Sequence, residues 1–231
     1  WSAPNLRNYL KEKFKTNVII KNDVNIAAIG ELHFGAAKGF KNIVYLSCGL
    51  GLGAGIVIDS KLYEGSKNAA GEIANYISTD KLPLESGYNL ESQVSIVGLL
   101  KKVKENAPNK TRALLDKLAG NIDNYEFEHI VEAWMAQDEF IIQCIDEIGD
   151  QLGCTISNII TILNCDLVVL GGEYMVFKKQ LLPKINEIVE KHAFYPVPVV
   201  SSKLEKYSGI YGLFAIARNL IIEKSINSQG F

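Results

Sequence analysis

From Cys48 to Gly55 the sequence reads Cys-Gly-Leu-Gly-Leu-Gly-Ala-Gly, with glycines at 49, 51, 53 and 55. The run follows directly on the apolar, β-branched stretch 43–48 and leads into Ile56-Val-Ile58, Asp59-Ser60 and Lys61-Leu-Tyr63. Strand, glycine turn, strand, short turn and strand make an antiparallel meander. Alternating glycines also let backbone N–H groups approach a ligand, and a row of such donors holds phosphate without a cation. No Lys-Ser/Thr pair follows and the spacing is not GxGxxG, which excludes a Walker loop and a dinucleotide fingerprint. A tight hairpin that needs positive φ at several positions accounts for the same pattern.

The flanks set this meander in a mixed α/β chain. Residues 5–15 carry Leu6, Leu10 and Phe14 on one helical face. The β-branched run 17–22 predicts a strand, ended by Asn22-Asp23, and 24–34 predict a helix. Residues 68–89, with Pro83 and Gly87, predict an irregular loop. From 90 to 163 the pattern is helical almost throughout, broken near Pro108 and at 121–125, and its last stretch repeats apolar residues every three or four positions from Phe140 to Leu163. Asp166-Leu-Val-Val-Leu170 predicts a buried strand ending at Gly171-Gly172, followed by a helix at 178–192, a strand at 197–201 and a last helix at 208–224. Strands that return between helices predict a layered sheet with helices on both faces.

The 231 residues carry 24 Lys+Arg against 26 Asp+Glu, so there is no cationic excess to neutralise nucleic-acid phosphates. The longest uncharged stretch, 42–58, contains four glycines and is too short to span a membrane. No charged-then-apolar leader opens the sequence, and the expectation is a cytoplasmic protein. Cys48, Cys144, Cys154 and Cys165 form no CxxC pair and sit among apolar residues, which predicts four buried, reduced thiols.

Three acidic positions stand out. Asp23 lies where a strand gives way to a helix, the crevice side of an α/β sheet, where a carboxylate suits a general base; helix capping by Asn22 or Asp23 is the competing reading. Glu72 follows Ala69-Ala-Gly, and Glu91 lies in Asn89-Leu-Glu-Ser92. Carboxylates that accept paired hydroxyl hydrogen bonds hold sugars, although solvated surface acids are the default for glutamate. His33, His129 and His192 have no partner at metal-ligand spacing.

Taken together, these segments resemble the ROK family of sugar kinases and sugar-responsive repressors. The matching stretches are Trp1-Ser-Ala-Pro-Asn-Leu6, Lys21-Asn-Asp-Val-Asn-Ile-Ala-Ala-Ile-Gly-Glu31, 44–56, Gly65-Ser-Lys-Asn-Ala-Ala-Gly-Glu-Ile73, 163–172 and Ser208-Gly-Ile-Tyr-Gly212. The resemblance implies an actin-like ATPase (ribonuclease H-like) α/β fold, with residues 1–40 as the remainder of an N-terminal lobe and 41–231 as the C-terminal lobe, its last helix packing back toward the first. It implies that Asn22 and Asp23 contact sugar, with Asp23 at the position of the kinases' catalytic base. Glu72 corresponds to the carboxylate of the family's GEIGH motif and Glu91 to a second sugar carboxylate. Gly49, Gly51, Gly53 and Gly55 correspond to a phosphate loop, and Gly171-Gly172 to the turn lining the adenosine site.

The departures from the family pattern favour a regulator over a kinase. The opening DxGxT phosphate motif does not occur, and Leu50 replaces the kinase loop's threonine. Asn75 replaces the GEIGH histidine, and the zinc cysteines fall at Leu82, Leu84 and Asn89, so no metal and no zinc is expected. Asn75 offers a shorter hydrogen-bonding side chain to sugar in the histidine's place, and Leu82, Pro83 and Leu84 are expected to hold their loop by apolar contacts. The implied function is the monosaccharide-sensing effector part of a xylose-repressor-like regulator, reaching DNA only through a helix-turn-helix outside this chain. The alternative is an ATP- and Mg-dependent sugar kinase with Asp23 as base. Near residues 1–40 an exposed apolar edge, or its burial in a homo-oligomer, is expected.

Overall fold

The computed structural model describes residues 4–77 and 89–228, beginning with helix α1 (Pro4–Phe14) and, after an extended segment, helix α2 (Asp23–Phe34). Strands β1 (Ile43–Cys48), β2 (Leu52–Ile58) and β3 (Lys61–Leu62) form the meander read from the glycine run. Helices α3 (Leu90–Val94), α4 (Ile96–Asn106), α5 (Asn109–Ala119) and α6 (Phe127–Met135) precede the long α7 (Glu139–Leu163). Strand β4 (Leu167–Gly171), helix α8 (Lys178–His192), strand β5 (Val199–Ser201) and helix α9 (Ser208–Ser228) complete the order. Leu82, Pro83 and Leu84, and residues 1–3, lie outside the described residues.

The sheet runs β3-β2-β1-β4-β5, antiparallel across β3, β2 and β1 and parallel across β1, β4 and β5. Pleating divides β1 between two cores, since successive side chains point to opposite faces. Ile43 and Tyr45 pack with Ala27, Ala28 and Leu32 of α2 on one face. Val44, Leu46 and Cys48 join the larger core on the other, with Ile148, Leu152 and Ile156 of α7 and Leu181 and Ile185 of α8. This is the mixed sheet with flanking helices of the actin-like ATPase fold.

Helices α2 and α9 cross with their backbones in contact. A Cβ at Gly30 would fall 2.0 Å from the Ser208 carbonyl oxygen, and one at Gly212 would fall 1.9 Å from that of Ile26. Beside this crossing the buried Glu31 accepts from the N–H groups of Ala36, Lys203 and Leu204 and from the hydroxyls of Ser202 and Ser208. The C-terminal end of α2 is thereby tied to the loop between β5 and α9.

Several expectations need correction. Residues 17–22 form no strand: no described segment pairs with them in a ladder, and Ile19 and Ile20 are exposed. Cys154 is exposed, because it lies on the solvent stripe of α7 with Glu147, Gln151 and Asn158 and away from the Leu152–Ile156 side. The helical stretch breaks twice more than expected, at Ser95, which caps α4, and at Asp138, which caps α7. Apolar exposure does occur among residues 1–40, at Leu6, Tyr9, Phe14, Ile19 and Ile20, but on a helix and an unpaired segment and not on a sheet edge.

Candidate functional site

Asn22 begins the site. Its Oδ1 accepts the Asn25 N–H at 3.0 Å and so caps α2, which leaves Asp23 as the first helical residue, its Oδ1 accepting the Val24 N–H at 2.9 Å and its other oxygen without a donor among the described residues. The close approach of α2 to the sheet depends on the glycine run. A Cβ at Gly55 would fall 2.6 Å from Ala28 Cβ and 2.9 Å from the Val24 carbonyl oxygen, and one at Gly53 would fall 3.2 Å from Val24 Cγ2. None of the four glycines has positive φ. The run is therefore required by lack of a side chain, not by left-handed backbone.

Asn22, Asp23, Glu72 and Glu91 line one open cavity of about 400 Å³, together with Gly51, Gly53 and the newly identified Ser47, Asn25, Asn68 and Glu173. The segments converge because β2 is locked on both sides. Its Ala54 N–H donates to the Gly71 carbonyl at 2.9 Å, which seats the loop carrying Glu72, and its Leu52 N–H donates to Glu91 Oε1 at 3.2 Å. Glu91 thus braces the glycine turn with one oxygen, while the Glu72 carboxylate has no partner among the described residues. Asn25 is buried, and its Oδ1 has no hydrogen-bond partner. The lining contains four carboxylates and, among the described residues, no lysine or arginine. Such a wall accepts hydroxyl donors and repels anions. Asn75 is exposed and stands outside this lining.

A second cavity, of about 680 Å³, shares Asp23, Val24, Ser47 and Glu173 with the first. Gly171 and Gly172 line it. Gly172 has φ +88°, and a Cβ there would fall 2.3 Å from the Cys48 carbonyl oxygen, so only glycine fits the turn. A Cβ at Gly171 would meet the Tyr45 hydroxyl at 2.1 Å. Burial, reinforced by the Glu31 charge, pushes the Tyr45 phenol up to about 12, and a hydrogen bond with Ser208 partly offsets this. Tyr45 is therefore a neutral hydrogen-bonding group.

The glycine turn carries an acidic and an apolar side chain. A Cβ at Gly49 would lie 1.6 Å from Glu173 Oε2, so a carboxylate rests on the first glycine of the loop. Leu50 presents an exposed apolar side chain on the same turn. No group of three or more metal-ligating side chains occurs among the described residues. No helix among them is long and apolar enough to cross a membrane.

Sequence reasoning missed Ser47, Asn25, Asn68 and Glu173. Asn25 carried a signal, since the residue three beyond an N-cap faces the same crevice. Glu173 carried one too, as the side chain directly behind a glycine pair. Asn68 had none.

The ROK family model matches residues 1–220. A xylose repressor from Caldicellulosiruptor bescii is 27% identical over 227 residues, which are 94% of this chain and 56% of the repressor. A glucokinase from Halalkalibacterium halodurans is 31% identical over 200 residues, 84% of this chain and 60% of that enzyme. Among solved structures, a ROK-family glucokinase from Streptomyces griseus in complex with glucose and AMPPNP superposes with TM-score 0.80 at 25% identity, covering 95% of this chain and 74% of that one. The chain thus spans a little over half the length of the curated repressor it matches.

Proposed function

The chain belongs to the ROK family, and on that premise we propose that it is the sugar-sensing effector part of a ROK-type transcriptional regulator. The carrying observation is the shared cavity, where Asn22 and Asp23 from α2, Glu72 from the β3–α3 loop and Glu91 from α3 line one hollow of monosaccharide size. In this reading a monosaccharide bridges α2 to the sheet side and shifts α2 relative to β2. The Glu31 anchor and the glycine crossing pass that movement to the β5–α9 loop and α9. A switch of this kind needs differential affinity between two states of about 1–3 kcal/mol. DNA is reached through a domain outside this chain, in a cytoplasmic homo-oligomer. Residues 1–40 belong to a first lobe and 41–231 to a second. No zinc is required.

A kinase reading is favoured by the similarity to glucokinases and by Asp23, which lines both cavities as a base between a sugar and a phosphate donor would. ATP and Mg²⁺ belong to that reading alone. Leu50 and Glu173 oppose it.

Calorimetry of the intact protein with neutral pentoses and hexoses, beside a coupled ATP/Mg²⁺ assay, separates these readings. Expected are saturable sugar binding, weakened about tenfold or more in Glu72→Gln because a charge-assisted hydrogen bond is lost, and no turnover. Turnover refutes the regulator. Absence of binding by any sugar refutes sensing.

A further inference from the structure

Glu173 belongs to neither of the sugar-binding motifs, yet it is one of the few residues common to both cavities. Its Oε2 occupies the space over Gly49 that a side chain would take, and its backbone N lies 3.2 Å from the same point. The carboxylate is therefore seated on the glycine turn at the junction of the cavities. Its charge acts on β1 as well: behind burial, it is the second cause that pushes the Cys48 thiol up to about 12. Asp23 adds a second carboxylate to the shared wall. The second cavity also carries two lysines: Lys178, paired at 4.0 Å with Glu205 of the same lining, and Lys206, over the Tyr207 ring at 5.3 Å.

We infer that Glu173 is a specificity residue that bars phosphate from the junction. It keeps nucleotide polyphosphates from seating on the glycine turn and excludes phosphorylated sugars from the first cavity. Two like charges at close range disfavour binding even in a solvated cleft, whereas a neutral polyol meets four carboxylates as acceptors. The inference rests on the sugar reading of the first cavity, but it concerns the charge class of the ligand and not its presence.

The test is calorimetry on the intact protein with AMPPNP and Mg²⁺, and with a neutral hexose and its 6-phosphate, comparing wild type with Glu173→Gln and Glu173→Ala. Glu173 is exposed, so both variants are expected to melt with the wild type. Expected is a gain of about tenfold or more in affinity for AMPPNP and for the hexose phosphate in Glu173→Gln, shrinking as salt screens the charge. Wild type that binds AMPPNP as tightly as the variants overturns the inference. Weaker binding in the variants overturns it too, because Glu173 would then ligate magnesium. If wild type binds no neutral hexose while the variants gain phosphate affinity, the sugar reading fails and the exclusion stands.

Discussion

Replacing Glu31 tests whether the two sides of the site are mechanically joined. The carboxylate is fully buried and accepts from Ala36 N at 2.6 Å, Leu204 N at 3.0 Å, Lys203 N at 3.3 Å, Ser208 Oγ at 3.0 Å and Ser202 Oγ. In Glu31→Ala these donors lose their acceptor. Ser208 still has the Glu205 carbonyl at 2.8 Å, and the two serine hydroxyls lie 3.2 Å apart, so both can turn to each other or to backbone. The three N–H groups have no such freedom. At about 1–3 kcal/mol for each stranded buried donor, eased where water enters the vacated space, the expected loss is about 3–5 kcal/mol. For a chain of this length that lowers Tm by roughly 10 °C or more. Glu31→Gln keeps the shape but turns an amide donor toward other donors, and about 2 kcal/mol is expected from the same penalty. Urea unfolding followed by circular dichroism measures both. Sugar affinity should fall in parallel, since Asn22 and Asp23 ride on the helix that Glu31 anchors. A loss under about 1 kcal/mol in Glu31→Ala, within the range of an ordinary surface change, would refute the anchor.

Two further outcomes follow from the thiols and the phenol. Cys48 and Tyr45 are held neutral, with both groups pushed up to about 12. A raised acid stabilises the fold fully below its unfolded value and loses that stability as pH climbs through the folded one. Thermal melts should therefore fall steeply between about pH 9 and 12, and less so in Cys48→Ala; identical slopes would contradict the burial of that thiol. Cys154 is the exposed member of the four cysteines, so a thiol reagent should label one site in native protein and the other three only after unfolding, as read by mass spectrometry.

The elements whose signal is local were legible in the sequence. The 178–192 helix and the meander came from apolar period and turn chemistry, and both match the structure. What failed depended on neighbours. Val18-Ile-Ile20 has strand composition, but a strand exists only where another backbone completes its hydrogen bonds, and none of the described residues does so. Cys154 failed for a related reason, since a thiol's burial follows from which side of α7 meets the core. The cavity lining was legible at Asp23, Glu72 and Glu91 as candidate carboxylates, with their convergence and Asn22 coming from motif resemblance. Asn68 remained hidden because it is brought there by a loop whose path follows from the Ala54–Gly71 hydrogen bond.

The glycine run shows how one local pattern serves two demands. At Gly53 and Gly55 the missing side chains let α2 press on β2, which brings Asp23 to the cavity. At Gly49 the volume that a side chain would fill is instead taken by Glu173, 124 residues further along the chain and placed there by the tight Gly172–Cys48 contact. The sheet-packing requirement keeps the glycines whether or not phosphate binds. On the proposed regulator reading, loss of phosphate transfer need not erase the glycine motif, and the side chain behind Gly171-Gly172 is the one that would change what the turn accepts.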